Sequence, residues 1–206
     1  MISKFNEDLS KEEFLGRYLD SKYPELFPTC KMQRVTEKTL QHKGVDIIIT
    51  TRGKSYNVDE KAQLDYLNKS LPTFAFEISY LKEGQEKLGW LLDESKITDK
   101  YFLITGIYLN TANDYRQGIK SCKITSVDRA GLLDLLNTKG LTKSEIMGVN
   151  GGMRDKGVDG RFEIEQLHPE NEGRFHFSKS LKAEQPINIV LYLKYLVDLG
   201  VAKSIT

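Results

Sequence analysis

The sequence predicts an α/β (α+β) fold in which a mixed central sheet is flanked by helices. An amphipathic helical stripe lies near the start, several strand-like segments follow it, and short helical patterns come after them. With 206 residues and 39% hydrophobic content, the chain is long enough for one full hydrophobic core. We therefore predict a core domain over residues 1–140 and an extension over residues 141–206 that packs on this core.

The first helix is predicted from a capping-box spacing followed by an apolar stripe. Ser10 and Glu13 have the Ser-x-x-Glu spacing in which each side chain satisfies a backbone donor at a helix start. The next apolar residues share one helical face: Phe14, Leu15, Tyr18 and Leu19. We expect this helix to run to about Lys22 and to end before Pro24.

Strand-like segments follow this helix. Residues 45–50 and 56–63 flank a turn-rich stretch and predict a β-hairpin. The alternation in residues 74–80 predicts a strand buried mostly on one face. Residues 101–109 are almost wholly apolar and aromatic, which predicts a central strand covered on both faces. We expect residues 82–95, between these two strands, to be partly helical.

The C-terminal part is predicted to consist of short elements. In order they are a strand at 123–127, a helix at 128–137, a loop at 148–160, a hairpin joining 161–167 to 174–177, and a closing helix at 186–200. The loop is predicted because five glycines occur there without apolar periodicity. The closing helix is predicted because Pro186 suits a first helical position and several apolar residues follow it.

Charge and cysteine content limit the classes of function. Thirty basic and 29 acidic residues give a net charge of +1, so no overall field attracts nucleic acid or membrane. A binding surface would need local charge segregation, and residues 31–61 have only a mild basic bias. Two cysteines and the lack of an apolar run long enough for a bilayer predict a cytoplasmic protein with reduced thiols and no membrane partner.

The predicted hairpin carries the residues with the strongest chemical potential. Strand side chains alternate between faces, so Asp59, Lys61 and Gln63 project together, away from Glu60. A two-residue loop would pair Asp46 with Asp59, and a four-residue loop would pair Asp46 with Lys61. Either even loop places Asp46 on the same face as Asp59 and Lys61. An odd loop or a bulge would bring up Glu60 in place of Asp59.

Two neighbouring carboxylates imply a divalent cation between them. Their hard oxygen ligands suit Mg²⁺ or Mn²⁺ better than zinc. Such an ion would acidify a bound water and neutralise charge on a phosphate. Lys61 could orient that water or stabilise the transition state, and Gln63 could hold the water or a phosphate oxygen. The alternative is a surface hairpin with a cross-strand Asp–Lys pair, which contributes only about 0.2 to 1 kcal/mol.

The order of these residues resembles the PD-(D/E)xK (restriction-endonuclease-like) nuclease superfamily. Asp46 is followed thirteen residues later by Asp59-Glu60-Lys61 on a second strand. The resemblance implies that Asp46 and Asp59 are acidic metal ligands, that Lys61 is the catalytic lysine, and that the Glu60 carbonyl is a further ligand. It also implies a glutamate from the first helix, for which Glu12 is the better candidate because Glu13 is explained by the capping box.

The resemblance covers roughly residues 10–109 and departs from the family pattern in two places. Gly44-Val45 replaces the proline that names the motif, and a strand at residues 73–80 stands where a core helix is expected. The function it implies is divalent-metal-dependent hydrolysis of DNA phosphodiester bonds. The alternative is a catalytically inactive nuclease-like module that binds nucleic acid or protein, which near-neutral charge and the unexplained C-terminal third favour. Homodimer formation through residues 141–206 stays open.

Overall fold

The chain folds as an α+β protein with one mixed and one antiparallel sheet. A computed structural model describes residues 4–112, 114–180 and 182–206, with side chains from residue 10 onward. Within these ranges the sheets have the strand orders β1-β2-β3-β6-β7-β11 and β5-β4-β10-β9-β8. The α-helices are α1 (Lys4–Leu26), α2 (Lys38–His42), α3 (Arg129–Thr138), α4 (Lys143–Lys156) and α5 (Leu193–Asp198). In the described part of the chain, no helix combines the length and apolarity needed to cross a membrane.

The chain forms two compact units, each made of segments that are separate in sequence. The first unit contains the chain up to Leu71, Thr98–Val127 and Lys203–Thr206. The second contains Pro72–Ile97 and Asp128–Ala202. Neither unit ends at residue 140, where the sequence predicted the end of the core domain. The chain thus leaves the first unit after its hairpin and returns for its next strand.

The first unit is built around the mixed sheet. The strands of this sheet are β1 (Lys31–Arg34), β2 (Ile47–Thr51), β3 (Lys54–Ala62), β6 (Lys100–Thr111), β7 (Asp114–Asp128) and β11 (Ala202–Ser204). Strand β3 pairs antiparallel with β2 and parallel with β6. Helix α1 contributes Leu15, Leu19 and Tyr23 to a core with apolar residues of β2, β3 and β6. The predicted hairpin and the buried central strand β6 are confirmed.

The second unit contains the antiparallel sheet. Its strands are β4 (Thr73–Lys82), β5 (Gln85–Leu88), β8 (Gly160–Phe162), β9 (Gly173–Phe177) and β10 (Ile187–Tyr192). Alternate side chains of the three inner strands are buried: Phe74, Phe76, Ile78, Phe175, Phe177, Ile187, Ile189 and Leu191. The predicted strand at residues 74–80 is confirmed, and the predicted hairpin at 161–177 exists in shorter form. Asp128 caps α3 by accepting a hydrogen bond from the Gly131 N–H, which confirms that helix.

The predicted start and end of the first helix are wrong. Helix α1 begins at Lys4, so Ser10 lies inside it and cannot be the N-cap. The Glu13 carboxylate instead pairs with Arg17 one turn later, at 2.7 Å. The helix also continues through Pro24 to Leu26. Because only two residues follow the proline, the lost hydrogen bond affects only the last turn.

The segment at residues 82–95 is not helical. Strand β4 runs to Lys82, and a two-residue turn joins it to β5 with Lys82 paired to Gln85. Both turn residues have positive φ, 52° at Glu83 and 75° at Gly84, as a type I′ hairpin turn requires. Glycine adopts positive φ without steric strain, so Gly84 favours this turn, and pairing of β5 with β4 then extends the sheet.

Residues 148–160 are mostly helical, which corrects the predicted loop. Helix α4 runs to Lys156 and includes three of the five glycines. The Thr142 side chain caps its start, and Gly157 ends it in the left-handed conformation at φ 62°. Ile146, Asn150 and Met153 are buried on one face of the helix. Packing of that face outweighs the low helix propensity of glycine.

The predicted closing helix at residues 186–200 is instead a strand followed by a short helix. Strand β10 lies between β4 and β9 in its sheet, and helix α5 begins only at Leu193. Ile187, Ile189 and Leu191 are buried and alternate with less buried residues. A short apolar run fits a strand or a helix equally well in sequence. Pairing on both edges selects the strand here.

Candidate metal and phosphodiester site

The hairpin between β2 and β3 has the even loop that the candidate site requires. Its register runs from Ile47↔Val58 to Thr51↔Lys54, which leaves Arg52 and Gly53 as the loop. Both loop residues have positive φ, 48° and 77°, as in a type I′ turn. Of the alternatives that the sequence left open, the two-residue loop is therefore confirmed, and the four-residue and odd loops are wrong.

Asp46 stands just before β2, where the backbone ladder changes. Gly44, at φ 75°, ends α2 and directs the chain into the buried residue Val45. The Asp46 N–H donates to the Val58 carbonyl at 2.9 Å, and Asp46 Oδ2 accepts the Glu60 N–H at 2.8 Å. The Asp46 carboxylate thus takes the place of a backbone partner for Glu60. This hydrogen bond holds the Asp46 carboxylate against the backbone of Glu60, next to Asp59 in the chain.

Asp59 is the most buried member of the cluster. Its side chain is 3% exposed, and Lys61 Nζ donates to its Oδ1 at 2.6 Å. Its Oδ2 is buried without a hydrogen-bond partner among the residues that the structure describes. Burial raises the pKa of Asp59 to about 6; Lys61 opposes this shift and the nearby Asp46 carboxylate reinforces it. The buried Oδ2 of Asp59 is therefore an oxygen to which a cation could bind.

Lys61 and Gln63 lie farther along the same strand direction. Lys61 is on the face of β3 that carries Asp59, and its side chain is 28% exposed, so solvent reaches this edge of the cluster. Gln63 follows the last residue of β3 and is the N-cap residue of a 3-10 helix, Leu64–Tyr66. Its N–H donates to the Ile104 carbonyl at 3.0 Å. Its side-chain Oε1 is buried. The structure therefore brings together Asp46, Asp59 and Lys61, with Gln63 next to them in the chain.

The Glu60 side chain lies on the opposite face of the sheet from Asp59. Its carboxylate accepts hydrogen bonds from the Tyr23 hydroxyl and from Arg34 Nη1, the latter at 2.6 Å. The carboxylate is thus engaged by α1 and β1 and does not face Asp46 and Asp59. Any contribution of Glu60 to a metal site has to come from its backbone, which is the role the family resemblance implies.

Glu12 is not part of the cluster that the structure assembles. It is exposed on α1, the helix that packs on the Glu60 face of the sheet. Tyr23 is the residue of α1 that reaches Glu60, and it lies eleven residues after Glu12. At 1.5 Å per residue this separation is about 16 Å along the helix axis. We therefore leave Glu12 out of the proposed site.

The residues that hold Glu60 were not predicted from the sequence. Arg34 bridges Glu60 and Asp20, with its Nε 2.8 Å and its Nη2 2.6 Å from Asp20 Oδ1. A pattern in β3 could have indicated this contact, because Glu60 lies between Val58 and Ala62 on the face that contributes to the core. A carboxylate on a core-facing position needs a cationic or hydrogen-bonding partner. The identity of that partner depends on tertiary contacts.

A cavity elsewhere in the first unit is a weaker candidate. A cavity of about 320 Å³ lies on the α1 face, lined in part by Tyr23, Phe27, Met32 and Arg34, and so opens on the side opposite Asp59.

No group of three His, Cys, Asp or Glu residues within the described ranges is arranged to hold a metal ion. The candidate site has two carboxylates. Mg²⁺ is commonly held by one or two carboxylates, with waters and substrate phosphates completing its coordination.

The second unit contains a buried polar network that we interpret as structural. Ser79 Oγ donates to Asn150 Oδ1 and accepts from Arg154 Nη2, both at 2.6 Å. Glu86 accepts from Asn150 Nδ2 at 2.7 Å and from Arg154 Nε at 2.5 Å. The two charged members of the network, Glu86 and Arg154, pair with each other. These bonds join α4 to β4 and β5.

Comparison with known proteins adds no family assignment: no protein-family model, curated protein or solved structure matches the chain.

Proposed function

We propose that this protein is a divalent-metal-dependent nuclease that hydrolyses DNA phosphodiester bonds, with a restriction-endonuclease-like first unit. Asp46 and Asp59 would hold Mg²⁺ or Mn²⁺, Lys61 would act on the reacting phosphate, and Gln63 would assist it. The observation that carries the proposal is the buried Asp59 carboxylate, which lies beside Asp46 and pairs with Lys61 at 2.6 Å. The parallel pairing of β3 with β6 places this cluster on an inner strand of the mixed sheet.

The donor set fits a hard divalent ion. Asp59 Oδ2 is buried and has no hydrogen-bond partner in the described part of the chain, which leaves one hard oxygen for a cation. Burying a carboxylate without a partner is unfavourable, and a cation would offset that cost. When bound, the ion would supply an acidified water and neutralise charge that develops on the phosphate.

The protein's own groups have separate roles in this proposal. The Glu60 N–H fixes one oxygen of Asp46, which orients that carboxylate toward the site. With a pKa of about 6, Asp59 is mostly ionised at neutral pH and can then bind a cation. The Lys61 ammonium, partly exposed and adjacent to Asp59, can donate to a non-bridging phosphate oxygen and stabilise its negative charge. The Gln63 amide can donate a hydrogen bond to the same phosphate.

A cleavage assay with matched variants tests the proposal. Linear, circular, branched and single-stranded DNA would be incubated with the full chain and Mn²⁺, which measures activity and substrate form together. We expect Asp59→Asn and Lys61→Met to abolish cutting. Two charge-matched controls at exposed positions outside the cluster, Asp134→Asn and Lys69→Met, should cut like the unmodified protein.

Two results would contradict the proposal in different ways. Cutting that persists undiminished in both Asp59→Asn and Lys61→Met would show that the active site lies elsewhere. Calorimetry that detects no Mn²⁺ binding dependent on Asp46 and Asp59, with no cutting, would favour the inactive nucleic-acid or protein-binding module.

A further inference from the structure

Glu60 connects the two faces of β3. It lies between Asp59 and Lys61 in the chain, and its backbone N–H donates to Asp46 Oδ2 at 2.8 Å. Its side chain lies on the other face, where its carboxylate is only 12% exposed. One residue therefore contacts a proposed metal ligand through its backbone and the α1 face through its carboxylate.

The Glu60 carboxylate is held by two donors from different elements. The Tyr23 hydroxyl of α1 donates to Oε1, and Arg34 Nη1 of β1 donates to Oε2 at 2.6 Å. Burial and the Glu60 carboxylate raise the pKa of Tyr23, so the hydroxyl keeps its proton and remains a donor. The two contacts restrict both carboxylate oxygens.

Arg34 is itself fixed by Asp20. Three of its nitrogen–oxygen contacts to the Asp20 carboxylate lie between 2.6 and 3.0 Å. Burial opposes ionisation, but the hydrogen bonds to Glu60 and Asp20 together raise the pKa of Arg34. The guanidinium therefore stays charged and bridges two carboxylates. Asp20 and Tyr23 lie three residues apart on α1, so one turn of this helix supports the whole arrangement.

We propose that Glu60 is a positioning residue for the Asp46 metal ligand, and that Tyr23, Arg34 and Asp20 hold it in place from the opposite face of the sheet. This inference rests on the proposed metal site. By fixing Glu60, these side chains fix the N–H that orients Asp46. Partners that orient metal ligands typically account for 10- to 100-fold in metal affinity. We expect their loss to weaken Mn²⁺ binding although none of the four side chains touches the ion.

Charge changes allow this positioning role to be separated from simple electrostatics. Arg34→Met removes a positive charge near the site, which by Coulomb attraction alone would strengthen binding of a divalent cation. Loss of positioning predicts the opposite sign, a Kd raised about 10-fold or more. Tyr23→Phe removes one hydrogen bond without changing charge. It should also raise the Mn²⁺ Kd, but by a smaller factor than Arg34→Met. Arg34 still pairs with Glu60 in Tyr23→Phe, so this variant does not leave the Glu60 carboxylate without a cationic partner.

The experiment measures the Mn²⁺ Kd of the full chain by calorimetry, with urea unfolding of each variant in parallel. Lys31→Met, an exposed cation on the same strand as Arg34, controls for charge. Leu26→Ala, on α1 but outside the hydrogen-bond network, controls for weaker helix packing. Weaker binding in Arg34→Met and Tyr23→Phe, with both controls near the unmodified Kd, supports the proposal. Equal or tighter binding in both variants overturns it and leaves the metal site intact, whereas no Mn²⁺ binding by the unmodified protein overturns both proposals.

Discussion

Replacing Asp59 with asparagine should stabilise the first unit in metal-free buffer at neutral pH. The pKa of this carboxyl is raised from 3.8 to about 6, chiefly by burial. Each pKa unit corresponds to about 1.4 kcal/mol, so ionised Asp59 costs the folded state about 3 kcal/mol relative to its neutral form. Asparagine keeps the shape of the side chain without the charge, and this cost disappears.

The pH dependence has a defined sign. Because the folded-state pKa is higher than the unfolded-state value, the folded protein binds this proton more tightly. The resulting stability is fully present below about pH 3.8, is lost as the pH rises to about 6, and stays lost above that. The stability advantage of Asp59→Asn should therefore be about 3 kcal/mol at pH 7.5 and only about 0.5 kcal/mol at pH 4.

Native-state hydrogen exchange is the suitable assay because it reports each unit separately. The single tryptophan, Trp90, belongs to the second unit, so its fluorescence would report unfolding of that unit and not of the first. Slowly exchanging amides of β6, such as those of Phe102 and Ile104, report opening of the first unit. Asp134→Asn serves as the control. If the advantage of Asp59→Asn is absent at pH 7.5, or equal at pH 4 and pH 7.5, burial of the ionised Asp59 carboxylate does not destabilise the first unit.

Three further substitutions test individual parts of the structure. Lys61→Met should raise the pKa of Asp59 above 6, because Lys61 lowers it; a carboxyl-carbon NMR titration measures this, and an unchanged pKa would rule out their ion pair. Gly148→Ala should raise the free energy of unfolding by about 0.5 to 1 kcal/mol, because Gly148 is exposed inside α4 and nothing lies within 4 Å of an added Cβ. Gly173→Ala should instead destabilise the second unit, since the added Cβ would lie 2.7 Å from a backbone carbonyl oxygen of β10. Urea unfolding measures both alanine variants, and equal effects would contradict the helix and strand assignments.

The sequence alone determined the elements whose signals are local. Alternation of side chains along a strand places Asp59 and Lys61 on one face whatever the rest of the chain does. The loop between β2 and β3 was not determined in this way, because two-residue, four-residue and odd loops all fitted the sequence. The structure selects the two-residue loop of Arg52 and Gly53. The nearly unbroken apolar run of β6 indicated a strand covered on both faces, because a strand with one solvated face would alternate with polar residues. The shared face of Asp59 and Lys61 and the strand β6 needed only the period of a strand and the apolar character of its residues.

Tertiary contacts select the elements for which local sequence signals conflict or are absent. Glycines at 148, 151 and 152 disfavour a helix, but a buried face stabilises α4. The apolar residues 187–191 fit two periods, and pairing on both edges selects a strand. The contacts of Glu60 with Tyr23 and Arg34 join residues 37 and 26 positions apart. Such separations leave no periodic trace in sequence, because the fold alone brings these side chains together.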